Sequence, residues 1–245
     1  MTESLVEVQA AAERWSAQEL LAWAAREFGD RAALASSLGA EDVVLIDVVS
    51  RVGAPFTVFT LDTDFLFPET YELISRVEEK YGINVERLRP TLIPESQASE
   101  FGEELWKRQP DLCCQIRKVE PLTRRLQASA TWITGIRREQ SPTRANARKL
   151  EWDAKFGLVK LNPIADWTED QVWEYIHSHK VPYNPLHDRG YPSIGCKHCT
   201  RAVHPGEDPR AGRWSGFAKT ECGLHVVETA EGPKLVPAHS AGARN

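Results

Sequence analysis

Between Ser16 and His179 the chain switches repeatedly between helical and strand patterning, and this alternation leaves few folds open to it. Ser16-Ala17-Gln18-Glu19 has capping-box spacing and predicts a helix running through Ala25. Ala32 to Leu38 reads as a first strand and Asp42 to Val52 as an amphipathic helix. Phe56 to Leu61, rich in β-branched and aromatic residues, reads as a second strand. The pattern continues with a helix from Pro68 to Tyr81 and a short strand from Ile83 to Leu88. Helices over Ser99 to Lys107 and Cys114 to Gln127 follow, then a strand from Thr131 to Ile136. A second capping box, Thr168-Glu169-Asp170-Gln171, opens a helix to His179. Strands that alternate with helices imply βαβ crossovers, so the expected class is α/β, a mainly parallel sheet flanked by helices.

From Val181 onward Pro, Gly, His and Cys replace that rhythm, and a loop-rich segment of this kind needs something to hold it. No linker composition divides the chain. One domain over residues 1–230 is expected, its C-terminal part (181–230) an irregular extension, with residues 231–245 a flexible, aperiodic tail. A length of 245 residues with 42% hydrophobic content is enough for a single sizeable core. The formal net charge of −5 argues against nucleic acid or acidic lipid as a partner. Basic residues nonetheless concentrate between Lys118 and Lys149 and between Arg201 and Lys219, which suits a small anionic substrate. The N-terminus, MTESLVEVQAAAERW, has acids where a signal peptide has lysines, and no apolar run reaches membrane-spanning length. A soluble, cytoplasmic protein is expected.

The five cysteines are an odd number, and in a reducing compartment they read as ligands or nucleophiles rather than disulfide partners. Cys113 and Cys114 are adjacent at a helix start, and Cys196 and Cys199 form a Cys-x-x-Cys pair in the turn-rich segment YPSIGCKHCT. Such a pair folds back so that both sulfurs meet one centre. Four thiolates suit either a tetrahedral zinc or a cubane cluster, and spacing does not choose between them. Two buried apolar cysteines beside an unrelated Cys-x-x-Cys is the plainer alternative. Cys222, in KTECGLH, stands apart beside Lys219 and His225, whose charges would lower a thiol pKa.

Ser36-Ser37-Leu38-Gly39-Ala40-Glu41-Asp42 joins the first expected strand to its helix, where backbone N–H groups favour a phosphate. It lacks the lysine of a Walker A loop. Leu61-Asp62-Thr63-Asp64 follows the second strand, at the edge where open α/β sheets bind ligands. Arg137-Arg138-Glu139-Gln140-Ser141 follows the strand ending at Ile136, on the same edge, and Arg210, Arg213 and Lys219 offer further cations.

Six segments stand out together: SSLGAED (Ser36 to Asp42), LDTDFLFPETY (Leu61 to Tyr71), CCQIRKVEPL (Cys113 to Leu122), GIRREQSPTR (Gly135 to Arg144), GCKHCT (Gly195 to Thr200) and RAGRWSGFAKTECGLH (Arg210 to His225). In this order they resemble the thioredoxin-dependent adenylyl-sulfate reductases, which belong with the phosphoadenylyl-sulfate reductases. The resemblance implies an adenine-nucleotide α-hydrolase-like fold. It implies that Cys113, Cys114, Cys196 and Cys199 ligate a [4Fe–4S] cluster that holds and polarises the substrate site without cycling, and that Cys222 is the nucleophile. It further implies that Ser36, Ser37, Leu61 and Thr63 line the adenosine and phosphate site, while Lys118, Arg137, Arg210 and Arg213 hold the phosphosulfate. The implied reaction of sulfate assimilation, leading to cysteine biosynthesis, converts adenosine 5′-phosphosulfate to sulfite and AMP through an S-sulfocysteine, with thioredoxin as electron donor.

Two positions depart from the pattern: Asp64 stands where the family often has glycine, and Ser215 follows Arg213-Trp214 where the family has a second tryptophan. Family members specific for the 3′-phosphorylated substrate generally lack the paired cysteines, so these favour the unphosphorylated one. A phosphoadenylyl-sulfate or dual-substrate reductase is one alternative, and a zinc-stabilised nucleotide-binding module is the other. A homo-oligomer is compatible with the sequence, which does not set the number of copies.

Overall fold

The computed structural model describes residues 5–215 together with 217, 223 and 224. Its elements in chain order are α1 (Leu5–Ala12), α2 (Ala17–Phe28), β1 (Ala32–Ala35), α3 (Ala40–Val52), β2 (Thr57–Leu61), α4 (Pro68–Tyr81) and β3 (Val85–Leu88). They continue with α5 (Pro94–Phe101), α6 (Leu105–Arg108), α7 (Pro110–Cys114), α8 (Glu120–Leu126), β4 (Thr131–Ile133), β5 (Leu150–Asp153), β6 (Leu158–Leu161) and α9 (Glu169–Ser178). The strands form one six-stranded sheet in the order β3-β2-β1-β4-β6-β5. All pairings are parallel except β5 with β6.

Parallel strands covered on both faces are built mostly of apolar and β-branched residues, and the central strands AALA, TVFTL and TWI fit, with only threonine as a polar residue. Alternation along β1 sends Ala32 and Leu34 into the larger core cluster and Ala33 into the smaller one. The larger cluster joins α2, α3 and α9 through Leu20, Leu21, Val44, Ile46, Val172 and Ile176. The smaller one packs Leu122 and Leu126 of α8 on Phe59, Trp132 and Leu158. Helix starts follow their local chemistry. Ser16 and Thr168 close the two capping boxes read from sequence, and Gly53 and Gly82 end α3 and α4 in the left-handed conformation.

Several expected boundaries are corrected. The first strand ends at Ala35 rather than Leu38, because Leu38 takes φ 60° in the turn that follows. The strand expected to reach Ile136 stops at Ile133, and its continuation becomes cavity wall. The helix expected over Ser99 to Lys107 is two pieces, α5 and α6, parted at Gly102 with φ 81°. The helix expected from Cys114 begins earlier, at Pro110, whose fixed φ suits a first turn. It then widens to a π-helical segment over Gln115–Val119. Pro121 has no N–H to return to the carbonyl of Arg117, which accounts for the widened turn. Helix α1 and the β5–β6 hairpin were not expected. Their short, mixed sequences, such as LEWD, carry no clear period.

The topology turns back between β1 and β4. β2 and β3 lie to one side of β1, and β4 and β6 to the other. A crevice opens at the carboxyl ends of strands at such a point. The chain after β1 and the chain after β4 therefore face each other across one opening.

Candidate active site

A cavity of about 530 Å³ occupies that crevice. Ser36, Ser37, Leu61, Thr63, Lys118, Arg137, Arg210 and Arg213, the positions singled out from sequence for nucleotide and phosphosulfate, all line it. The loop after β1 forms one wall. Ser36 N–H extends the ladder to the Phe59 carbonyl at 2.8 Å, and Ser36 Oγ then accepts the Leu38 N–H at 3.1 Å. Ser37 donates twice, from N–H at 2.6 Å and from Oγ at 2.7 Å, to Asp42 Oδ2 at the start of α3. Burial pushes the Asp42 carboxyl up to about 6, against the pull of the Ser37 bonds.

The opposite wall comes from the chain after β4. Arg137 donates from Nε and Nη2 to Glu41 Oε1 at 3.0 and 2.9 Å, and Nη1 lies 3.6 Å from Glu139. This buried guanidinium is thus held in place by carboxylates before any anion arrives. Gly135 allows the two walls to approach. A methyl group there would collide with Asp42 Oδ1 and stand 2.9 Å from Glu41 Cβ. Gly135→Ala is therefore expected to cost about 1–3 kcal/mol of stability, the usual cost of forcing a group into packed space. Thermal denaturation of the variant beside the parent checks this.

The floor lies toward the cysteines. Cys113, Cys114, Cys196 and Cys199 line one small adjoining cavity with Phe65, Trp106, Arg117 and His198, and Lys118, Cys196 and Trp214 belong to both cavities. The four thiols are free of disulfides. α7 brings Cys113 and Cys114, and the Cys-x-x-Cys turn reaches them because Lys197 N–H donates to the Phe65 carbonyl at 2.8 Å. Thr63 Oγ1 lies 3.3 Å from Cys196 Sγ. Burial, then the neighbouring cysteines, push the Cys113 thiol up to about 12 and that of Cys199 up to about 11.

These thiols lie beside a buried cation with unmet donors. Arg117, fully buried among them, has no partner for Nε or Nη2, and such donors are costly unless an anionic acceptor meets them. Among the described residues no group of three or more His, Cys, Asp or Glu side chains is placed to hold a single ion. A tetrahedral zinc needs all its sulfurs about 2.3 Å from one point, whereas a cubane spreads them over four corners.

Arg213 reaches the cavity across the Cys-x-x-Cys turn. Its Nη1 donates to Ser193 Oγ at 3.0 Å and to the Ile194 carbonyl at 3.3 Å, and its guanidinium lies 4.6 Å from the Trp214 ring centroid. Asp64 is absent from the cavity lining and pairs instead with Arg117 Nη1 at 3.1 Å, so its charge is spent away from the anion site. Cys222, Lys219 and His225 lie outside the described residues, as does the tail over residues 231–245. The residues just after Cys222 are described. Lys155 Nζ donates to the Gly223 carbonyl, and Leu224 packs on the smaller core cluster and lines the cavity.

The phosphoadenosine phosphosulfate reductase domain model matches residues 31–202. The chain belongs to that family. An adenosine 5′-phosphosulfate reductase of Halalkalibacterium halodurans is 50% identical over 220 residues, 89% of this chain and 95% of the relative. A Bacillus subtilis adenosine 5′-phosphosulfate reductase 2 is 48% identical over 208 residues, 84% and 88% of the two chains. Among solved structures, the phosphoadenylyl-sulfate reductase of Candida auris in its phosphate complex superposes with a TM-score of 0.73 at 30% identity. That match covers 83% of this chain and 99% of the other. The family fold is thus the one expected from sequence.

Many residues lining this cavity were not singled out as site positions from sequence, among them Glu41, Arg144, His187 and Trp173. Glu41 and Arg144 lay inside quoted motifs, so a signal was present; His187 and Trp173 lay in none. Arg117 also went unselected, although it follows Cys113 by four residues, the spacing that puts two side chains on one helix face.

Proposed function

We propose that this chain is an adenosine 5′-phosphosulfate reductase that transfers sulfite from the nucleotide to Cys222 and releases it to thioredoxin. One observation carries the reading. The eight positions expected for the nucleotide and its phosphosulfate line a single cavity, and that cavity shares a wall with the four-cysteine site.

The strand-end loops would receive adenosine and phosphate between Ser36, Ser37, Leu61 and Thr63, and Lys118, Arg137, Arg210 and Arg213 would hold the phosphosulfate. Their positive charge offsets repulsion between an anionic substrate and an attacking thiolate and stabilises charge on the departing phosphate. The Cys222 thiolate attacks sulfur, the S–O bond to phosphate breaks, and AMP leaves with the electron pair. A thioredoxin thiolate then attacks Cys222 Sγ and expels sulfite, and the second thioredoxin thiol closes a disulfide, supplying both electrons. Cys113, Cys114, Cys196 and Cys199 would hold a [4Fe–4S] cluster, which when bound supplies a fixed, polarising charge beside the sulfate. The family resemblance carries this reading, and the unpaired donors of Arg117 beside the four thiols fit an anionic centre there. A cytoplasmic setting, where thiols stay reduced, is part of the same proposal. Among the described residues no helix is long and apolar enough to cross a membrane.

The test is a single turnover without thioredoxin. Anaerobic enzyme mixed with excess adenosine 5′-phosphosulfate should release about one AMP per site, as covalent catalysis requires. The peptide carrying Cys222 should gain one sulfonate, and sulfite should appear only when thioredoxin is added. AMP that waits for thioredoxin, with no modified peptide, would mean direct attack on the nucleotide by the donor. Running the 3′-phosphorylated nucleotide in parallel separates the two substrate classes.

A further inference from the structure

Asp64 takes φ 59° in the turn after β2, a left-handed conformation that glycine adopts freely and that aspartate and asparagine tolerate better than other side chains. Its carboxylate is turned onto one contact, Arg117. Asp64 Oδ2 accepts from Arg117 Nη1 at 3.1 Å, and the same nitrogen donates to the Thr63 carbonyl at 3.0 Å. The turn is braced from below by Asp64 N–H, which donates to Asp62 Oδ1 at 3.2 Å.

Arg117 is the most confined cation near the cysteines. Its side chain is 1% exposed and its guanidinium carbon lies 4.3 Å from the Phe65 ring centroid. The guanidinium is a rigid plane, so fixing Nη1 on one side fixes where Nε and Nη2 point on the other. Those two nitrogens are buried without a partner, and the residue lines the cavity of the four thiols, its charge favouring the thiolate of Cys113. The Asp64 carboxylate is partly exposed and faces away from the substrate cavity, so its position offers it no direct part in binding the nucleotide.

We infer that Asp64 is a positioning residue for the cysteine-held centre: it clamps one edge of Arg117 so that the other edge presents its two N–H donors to sulfur. This rests on the cluster reading given above. Partners one step removed from a metal site commonly change its affinity by about 10–100-fold when lost, and hydrogen bonds to sulfur shift the electronic properties of such a cluster.

The experiment compares the full chain with Asp64→Gly and Asp64→Asn, all purified without oxygen. Glycine suits the left-handed turn but leaves the buried Arg117 without its carboxylate, so the metal-free variant should melt at or somewhat below the parent's temperature. The iron-loaded variant should nevertheless release iron to a chelator about ten-fold faster or more, and its visible absorption and Fe–S stretching frequencies should shift. Asparagine tolerates the left-handed turn and keeps a weaker acceptor, so it should fall between the two. Identical release rates and spectra in all three proteins would overturn the inference while leaving the cluster reading intact. Loss of metal-free stability with an unchanged spectrum would overturn it too, by assigning Asp64 a purely structural role. A parent chain without iron and acid-labile sulfide would overturn the cluster reading and this inference with it.

Discussion

Replacing Cys222 with serine is expected to lower sulfite formation by roughly 10³-fold or more, as loss of a covalent nucleophile does elsewhere, while iron content and nucleotide binding stay unchanged. A serine hydroxyl is hardly ionised near neutral pH and attacks sulfur poorly. Any sulfate ester it did form would contain no S–S bond, so a thiol donor could not expel sulfite from it. Retention of iron follows from the division among the five cysteines: four line the cavity beneath the substrate site, and Cys222 belongs to a separate segment. That segment is anchored near the cavity immediately after Cys222. Gly223 accepts from Lys155, and Leu224 packs beside Phe59 and Trp132. A sulfite assay with thioredoxin, run beside iron analysis and a nucleotide titration, makes the measurement. Turnover at the parent rate would remove Cys222 as the nucleophile.

What the sequence made legible divides along physical lines. Long elements with a clean period and a chemical start signal were readable: α2 and α9 through their capping boxes, and α4 through Pro68 at its first turn. The central strands were readable because their buried positions are filled by apolar, β-branched and aromatic residues. Elements defined by partners were not. β5 and β6 acquire strand geometry by pairing with each other and with β4. The break at Gly102 and the π-helical turn before Pro121 depend on single residues inside otherwise helical patterns. The site was readable as a set of positions because its residues fall at strand ends and in short motifs. Its couplings were not. The pairing of Arg137 with Glu41 spans 96 residues, and that of Arg117 with Asp64 spans 53. Asp64 illustrates the difference. Its type and place suggest an acid beside a phosphate, and only the fold reveals that the charge is turned toward a buried arginine.

Cys113→Ala is expected to lose the cluster, seen as loss of brown colour and of nearly all bound iron and sulfide. The side chain sits with Cys196, Phe65, Leu105 and Ile116 in one buried group, so its removal opens the centre rather than its rim. The consequences reach the fold, because the segment after Val181 holds little regular structure of its own. Its Cys-x-x-Cys turn is tied to the sheet through the Lys197–Phe65 bond and to the following chain through Trp214 N–H on the Cys199 carbonyl. Without a metal centre these thiols return to the neutral form. Burial and mutual repulsion hold Cys113 at about 12 and Cys199 at about 11, so ligation has to expel protons. Cluster retention should therefore weaken as pH falls, in the parent as well as in variants. Arg117 would then keep two buried donors without acceptors, a cost of about 1–3 kcal/mol for each such group. Lower thermal stability should accompany the bleaching, and limited proteolysis should cut first between Val181 and Trp214. Alanine at Cys114, Cys196 and Cys199 should act in the same way, since a cubane needs all four thiolates. Iron content equal to the parent in all four variants would sink the cluster assignment.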